Sequence, residues 1–214
     1  MSNAHSTCSS PGALRVFICV NGILTLPDES EGWTDRAVTW LHTHTDFRAE
    51  KFEYACGAIT RRLRQQWRAQ AIAKMCAYYF SAGYEVSLVG HSNGCDLIAR
   101  VLALVAGHIR SVHLFAAAAD WQPFSLALHL NRVARVHLYV SDADRALLFA
   151  GLSRNLLGWL GLGYGDLGRT VPAAALRHPK ARVNRNDTYG HSSWFERGTR
   201  FEATMNLLIS HEQN

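Results

Sequence analysis

The sequence predicts an α/β protein, a three-layer sandwich built on a doubly wound, mostly parallel sheet of about six strands. Three observations carry that expectation. Short apolar runs alternate along the chain with stretches where apolar residues recur at helical spacing. Runs such as Arg15-Val-Phe-Ile-Cys-Val20 are apolar without a break, the pattern of a strand covered on both faces in a parallel sheet. Glu85-Val-Ser-Leu-Val-Gly-His-Ser-Asn-Gly94 passes from strand through a sharp turn directly into a helix pattern at Leu97, Ile98, Val101, Leu102, Leu104 and Val105.

The elements follow in order. Residues 1–13 are polar and read as a flexible tail; residues 14–214 suit one domain. After the strand ending at Val20 comes the turn Asn21-Gly22-Ile23 and a loop with Pro27, Asp28 and Ser30. Trp33, Ala37, Val38, Trp40 and Leu41 predict a helix, and Lys51–Cys56 a strand. Ile59, Leu63, Trp67, Ala71, Met75 and Tyr79 recur every fourth residue and predict one core-facing stripe of a long helix ended by Gly83. Ser111–Phe115 is the next strand, opening into Ala116–Ala119 and Asp120, with a helix expected after Pro123. Val136–Val140 is another strand. Residues 145–160 look helical and apolar, and a glycine-rich loop over 161–168 follows. The range 145–180 is a candidate lid or loop. Ala181–Arg185 is a short last strand, and Ser193 with Glu196 fits a capping box opening a final helix.

Composition limits the function. The hydrophobic fraction of 48% supplies a core, and 22 basic against 17 acidic residues give a net +5. The basic residues are spread out, with no compact run interleaved with aromatics, so no nucleic-acid partner is expected. The glycine-rich loop over 161–168 lacks phosphate-loop spacing. His42-Thr-His44 has no companion ligand nearby and reads as a solvated helix end. No cofactor and no metal are therefore expected. The 5 cysteines (Cys8, Cys19, Cys56, Cys76 and Cys95) are odd in number and without a C-x-x-C pair, which suits a reduced, cytoplasmic protein. No secretory signal or transmembrane run is expected from the pattern.

Gly90-His91-Ser92-Asn93-Gly94 matches G-x-S-x-G on a strand–turn–helix. A serine hydroxyl is a weak nucleophile until a base and an orienting carboxylate are brought to it. Here the chain resembles the α/β-hydrolase family of serine esterases and lipases, in a minimal form lacking counterparts of the first two strands of larger members. The resemblance implies the chain order nucleophile, acid, histidine, with the histidine in the loop before the last helix. That makes Ser92 the nucleophile and His191, in Gly190-His191-Ser192, the base. Asp144 has the expected spacing after its strand, with Asp142 and Asp120 as alternatives for the acid. By the same likeness, the N–H groups of Asn93 and Ile23 form the oxyanion hole, Asn21 standing where the family carries His. His91 is expected to pack, pointing away from the Ser92 hydroxyl. The implied activity is hydrolysis of a small-molecule acyl or ester substrate through an acyl-enzyme. Acyl transfer, thioester or peptide cleavage on the same residues, or a silent hydrolase fold used for binding, are the alternatives.

Overall fold

A computed structural model describes residues 13–22, 32–54, 64–119, 129–149, 151 and 165–213. The elements are β1 (Arg15–Val20), α1 (Trp33–His44), β2 (Arg48–Phe52), α2 (Gln65–Ser81), β3 (Glu85–His91), α3 (Asn93–Leu104), β4 (Ile109–Phe115), β5 (Val133–Val140), α4 (Ala173–Leu176), β6 (Ala181–Arg185) and α5 (Thr199–Gln213). Single turns of 3-10 helix lie at Leu130–Arg132 and Ser193–Phe195. The strands form one sheet in the order β2-β1-β3-β4-β5-β6, and every neighbouring pair is parallel.

Strand side chains alternate between two faces. Val16, Ile18, Val20, Val86, Leu88, Val112, Leu114, Val136 and Leu138 pack with Ala69, Ile72 and Cys76 of α2 and with Leu97, Ile98, Val101 and Leu102 of α3. Phe17, Cys19, Val89, Phe115 and Tyr139 pack with Trp33, Ala37 and Leu41 of α1 and with Phe201, Met205 and Leu208 of α5. Helices thus cover both faces, which is why β1 after Arg15 could be written wholly in apolar letters. The chain leaves β1 toward β2 on one side and returns to β3 on the other. That reversal opens a crevice at the carboxyl ends of β1 and β3, the place where open parallel sheets bind ligands.

Three expectations are corrected. The stripe expected on α2 is out of phase: Trp67 is 66% exposed, and the buried residues are Gln65, Arg68, Ala69, Ile72, Cys76 and Tyr79. A strict four-residue repeat drifts about 40° around a helix at each step, so five steps cannot stay on one face. The second strand is Arg48–Phe52 rather than 51–56. The last helix begins at Thr199, after Gly198 at φ 89°. Ser193 and Glu196 do not cap it. The Ser193 hydroxyl accepts from the Gly190 N–H at 3.0 Å, and Glu196 pairs with Arg200. Cys8, Cys56, Asp120, the helix after Pro123 and residues 150 and 152–164 lie outside the described residues. Within 145–180, residues 145–149 are helical, and Leu167 and Ala175 are buried against the sheet. Cys19, Cys76 and Cys95 are buried free thiols. Among the described residues no helix is long and apolar enough to cross a membrane.

The tightest point is where α3 starts over the end of β1. A Cβ on Gly94 would stand 2.4 Å from the Val20 carbonyl oxygen and 2.6 Å from that of Asn21. Backbone cannot move aside as a flexible side chain can. Gly94→Ala is therefore expected to destabilise the fold by roughly 1–3 kcal/mol, read as a lower denaturant midpoint at unchanged slope.

Candidate functional site

β3 ends at His91, and the backbone turns at Ser92 with φ 53° and ψ −122°. Few side-chain-bearing residues hold a positive φ, and it persists only where surroundings over-determine it. Here three backbone bonds do so: Ser92 N–H donates to the Phe115 carbonyl at 3.0 Å, and the Ser92 carbonyl accepts from Cys95 and Ala118, each at 3.1 Å. Ala116–Ala119 are buried beneath this turn. Their small side chains let the Ala118 N–H reach the Ser92 carbonyl. Asn93 opens α3, so its N–H is among the donors that a helix leaves without an internal acceptor. The dipole of α3 adds positive potential at the same spot.

His191 lies in the loop between β6 and α5. Its Nε2 is 2.9 Å from Ser92 Oγ, and its Nδ1 is 2.8 Å from Asp144 Oδ2. Asp144 follows β5 and is 1% exposed. Its other oxygen accepts from the Leu147 N–H at 3.0 Å, so the carboxylate also caps the turn over 145–149. With a carboxylate on Nδ1, the neutral imidazole carries its proton there and presents a bare Nε2 to the serine. Asp142 is elsewhere: it pairs with Arg185 at 2.6 Å, on an open surface. Asp120 and Ile23 lie outside the described residues.

Three contributors escaped the sequence reading. His91 packs, as expected, against Trp33 and Phe195, but its Nε2–H also donates to the His191 carbonyl at 2.8 Å. Burial, with the His191 ring second, pushes its pKa down to about 3, so it stays a neutral donor. Ser141 donates its hydroxyl to the Tyr189 carbonyl, tying the segment that carries Asp144 to the loop that carries His191. Trp33 stacks on Phe195 at 4.1 Å and donates its indole N–H to Asn21 Oδ1 at 3.0 Å. That same oxygen accepts from the Gly22 N–H at 2.8 Å. Asn21 thus supplies the acceptor that fixes the Gly22 N–H just after β1. A Cβ on Gly22 would lie 3.1 Å from Ser92 Cβ, so the backbone at Gly22 passes directly beside the serine. No single letter signals these contacts, because each joins segments far apart in the chain.

The Asn93 side chain reaches the other way, donating to the Tyr54 hydroxyl at 2.9 Å, with the Arg68 guanidinium over the Tyr54 ring at 4.6 Å. Among the described residues, these groups wall the crevice on its β2 side.

Solved structures share this architecture. A putative hydrolase of the α/β superfamily from Xanthomonas campestris pv. campestris aligns with TM-score 0.58 and 18% identity, over 92% of this chain and 99% of that one. The lipase BlEst2 of Bacillus licheniformis, in its mature form, gives 0.56 and 15%, over 92% of each chain. The esterase PE8 gives 0.54 and 16%, over 92% and 93%. The chain has the α/β-hydrolase fold. In sequence, no protein-family model matches it and no curated protein does.

Two outcomes follow from this geometry. Asp144→Asn should slow labelling of Ser92 by a fluorophosphonate about 10⁴-fold, while Asp142→Asn leaves the rate unchanged. His91 has a folded pKa depressed below its ordinary value of 6.5, so the unfolded chain binds the extra proton. Its contribution is therefore complete above pH 6.5 and is lost as pH falls toward about 3. Denaturant midpoints should drop across that window, and drop less in His91→Asn.

Proposed function

We propose that this protein is a serine hydrolase that cleaves small carboxylic esters through an acyl-enzyme. The observation that carries the reading is the unbroken line Asp144–His191–Ser92, closed at 2.8 and 2.9 Å by residues from three separate loops. Ser92 Oγ attacks the ester carbonyl while His191 Nε2 takes its proton. Asp144 holds the imidazole tautomer and stabilises the imidazolium that forms. The oxyanion develops at the N-terminus of α3, where the Asn93 N–H and, from the neighbouring loop, the Ile23 N–H receive it. Each such donor is worth on the order of 3 kcal/mol to the rate. His191 then protonates the leaving alcohol. A water, deprotonated by the same imidazole, releases the acid and restores Ser92.

A binding role without chemistry has less support. The departure that would favour it is Asn21 in place of His, yet Asn21 Oδ1 accepts from both the Gly22 and the Trp33 N–H groups and so orders the backbone at the end of β1. The structural neighbours that act as an esterase and a lipase support the ester reading by likeness of fold alone.

The test is hydrolysis of short-chain nitrophenyl esters, with fluorophosphonate labelling in parallel. The wild-type chain should turn over and label once, at Ser92. Ser92→Ala should lose both while keeping its circular dichroism and melting point. Equal turnover by Ser92→Ala would end this reading.

A further inference from the structure

The α5-facing side of the sheet holds a second cluster, midway along the strands, where His113 is level with Val89 of β3. His113 on β4 and His137 on β5 are register partners in adjacent strands, so their rings lie side by side on one face. His211 of α5 comes down over them, its ring 4.5 Å from that of His137. One ring nitrogen from each of the three lies within 4.8 Å of the others. We propose that His113, His137 and His211 form a binding site for one late-transition divalent ion of the Zn²⁺ class, which fastens α5 to the sheet.

Three observations bear on it. His137 is 4% exposed, yet neither of its ring nitrogens has a hydrogen-bond partner among the described residues. A buried imidazole in that state forfeits free energy that a ligand bond would recover. Second, His113 Nε2 is 2.8 Å from Glu212 Oε1. The Glu212 carboxylate accepts the Nε2–H hydrogen bond, which leaves the lone pair of His113 on Nδ1. A carboxylate behind a histidine in this way is the usual support for a metal ligand. Third, His113 Nδ1 and His211 Nδ1 converge on the Tyr139 hydroxyl, each at 2.9 Å, so an ion bound to both nitrogens displaces these two hydrogen bonds.

Three neutral imidazoles with an open fourth position suit a borderline divalent ion, and Mg²⁺ or Ca²⁺ poorly. The His113 and His137 rings are nearly parallel, 6° apart at 4.8 Å. Ligation therefore turns the His137 ring about χ2, bringing nitrogens to the roughly 3.3 Å separation that tetrahedral bonds near 2.0 Å require. His137 loses no hydrogen bond in turning. Nearby charge is mixed: Arg110 is paired with Glu85 and Glu212, and Arg135 sits on the His211 carbonyl at 3.2 Å. Arg135 opposes a cation and so lowers affinity without blocking the position.

The test uses the full chain, stripped with a chelator and titrated with Zn²⁺ by calorimetry and with Co²⁺ by visible absorption. One saturable equivalent is expected, with tetrahedral Co²⁺ bands and a raised melting temperature. His137→Phe, which fills the same space, should weaken binding at least about 100-fold. His211→Gln, on the more exposed ligand, should do so too if the first variant folds poorly. Ser92→Ala should bind Zn²⁺ as the wild type does, so failure of ester hydrolysis would leave this titration unaffected. No saturable equivalent, or the same isotherm in both histidine variants, would overturn the site. Binding that disappears instead with His42→Ala would assign the ion to the surface pair on α1.

Discussion

A serine held with φ at 53° is the constraint on which the site depends. That conformation costs on the order of 1–3 kcal/mol, and it survives because the surroundings leave the turn nowhere else to go. β4 receives the Ser92 N–H, Ala118 holds its carbonyl, and α3 begins immediately after it. α3 in turn can start there only because Gly94 presents no side chain to the carbonyls ending β1. The strain places the hydroxyl above the sheet and beside the helix terminus at once. In the proposed mechanism, the nucleophile and the Asn93 oxyanion donor thus come from a single feature.

The other two groups arrive by a different route. Asp144 stands after β5 and His191 after β6, neighbouring strands whose carboxyl ends lie side by side. Parallel pairing brings those ends level, and two further contacts remove the remaining freedom. Ser141 reaches the Tyr189 carbonyl, and His91 holds the carbonyl of His191 itself. The imidazole is positioned from its backbone as well as from its ring. Such preorganisation matters because a base that has to search for its nucleophile forfeits much of the advantage of proximity.

The two faces of the sheet are unequal. Toward α2 and α3 the sheet presents mainly aliphatic side chains, whereas toward α5 it carries Ser87, Ser111, His113 and His137, with Glu212 of α5 against them inside the core. Burying polar groups at that depth costs free energy that hydrogen bonds must offset. Arg110 and Arg15 both reach the Glu212 carbonyl near the end of α5, and Arg110 also meets its carboxylate. This polar seam anchors the last helix, whose first turn follows the histidine loop. Docking of α5 and position of His191 are mechanically linked through a short stretch of chain.

Strand and helix order was legible because parallel strands covered on both faces need unbroken apolar runs, and those runs are local. The turn at Ser92 was legible for the same reason: its glycines and serine act on their immediate neighbours. The α2 face was misjudged, since the partner helix chooses which side is buried and periodicity alone is ambiguous within a few tens of degrees. Ser193 misled because its hydroxyl had a nearer donor at Gly190. The sequence by itself determined the architecture, the nucleophile turn and the histidine before the last helix. Only the tertiary structure separated buried Asp144, bonded to His191, from surface Asp142, and drew His91, Ser141 and Trp33 together around them. The physical reason is reach: backbone preferences act over a few residues, while a hydrogen bond between side chains depends on where whole strands end in space.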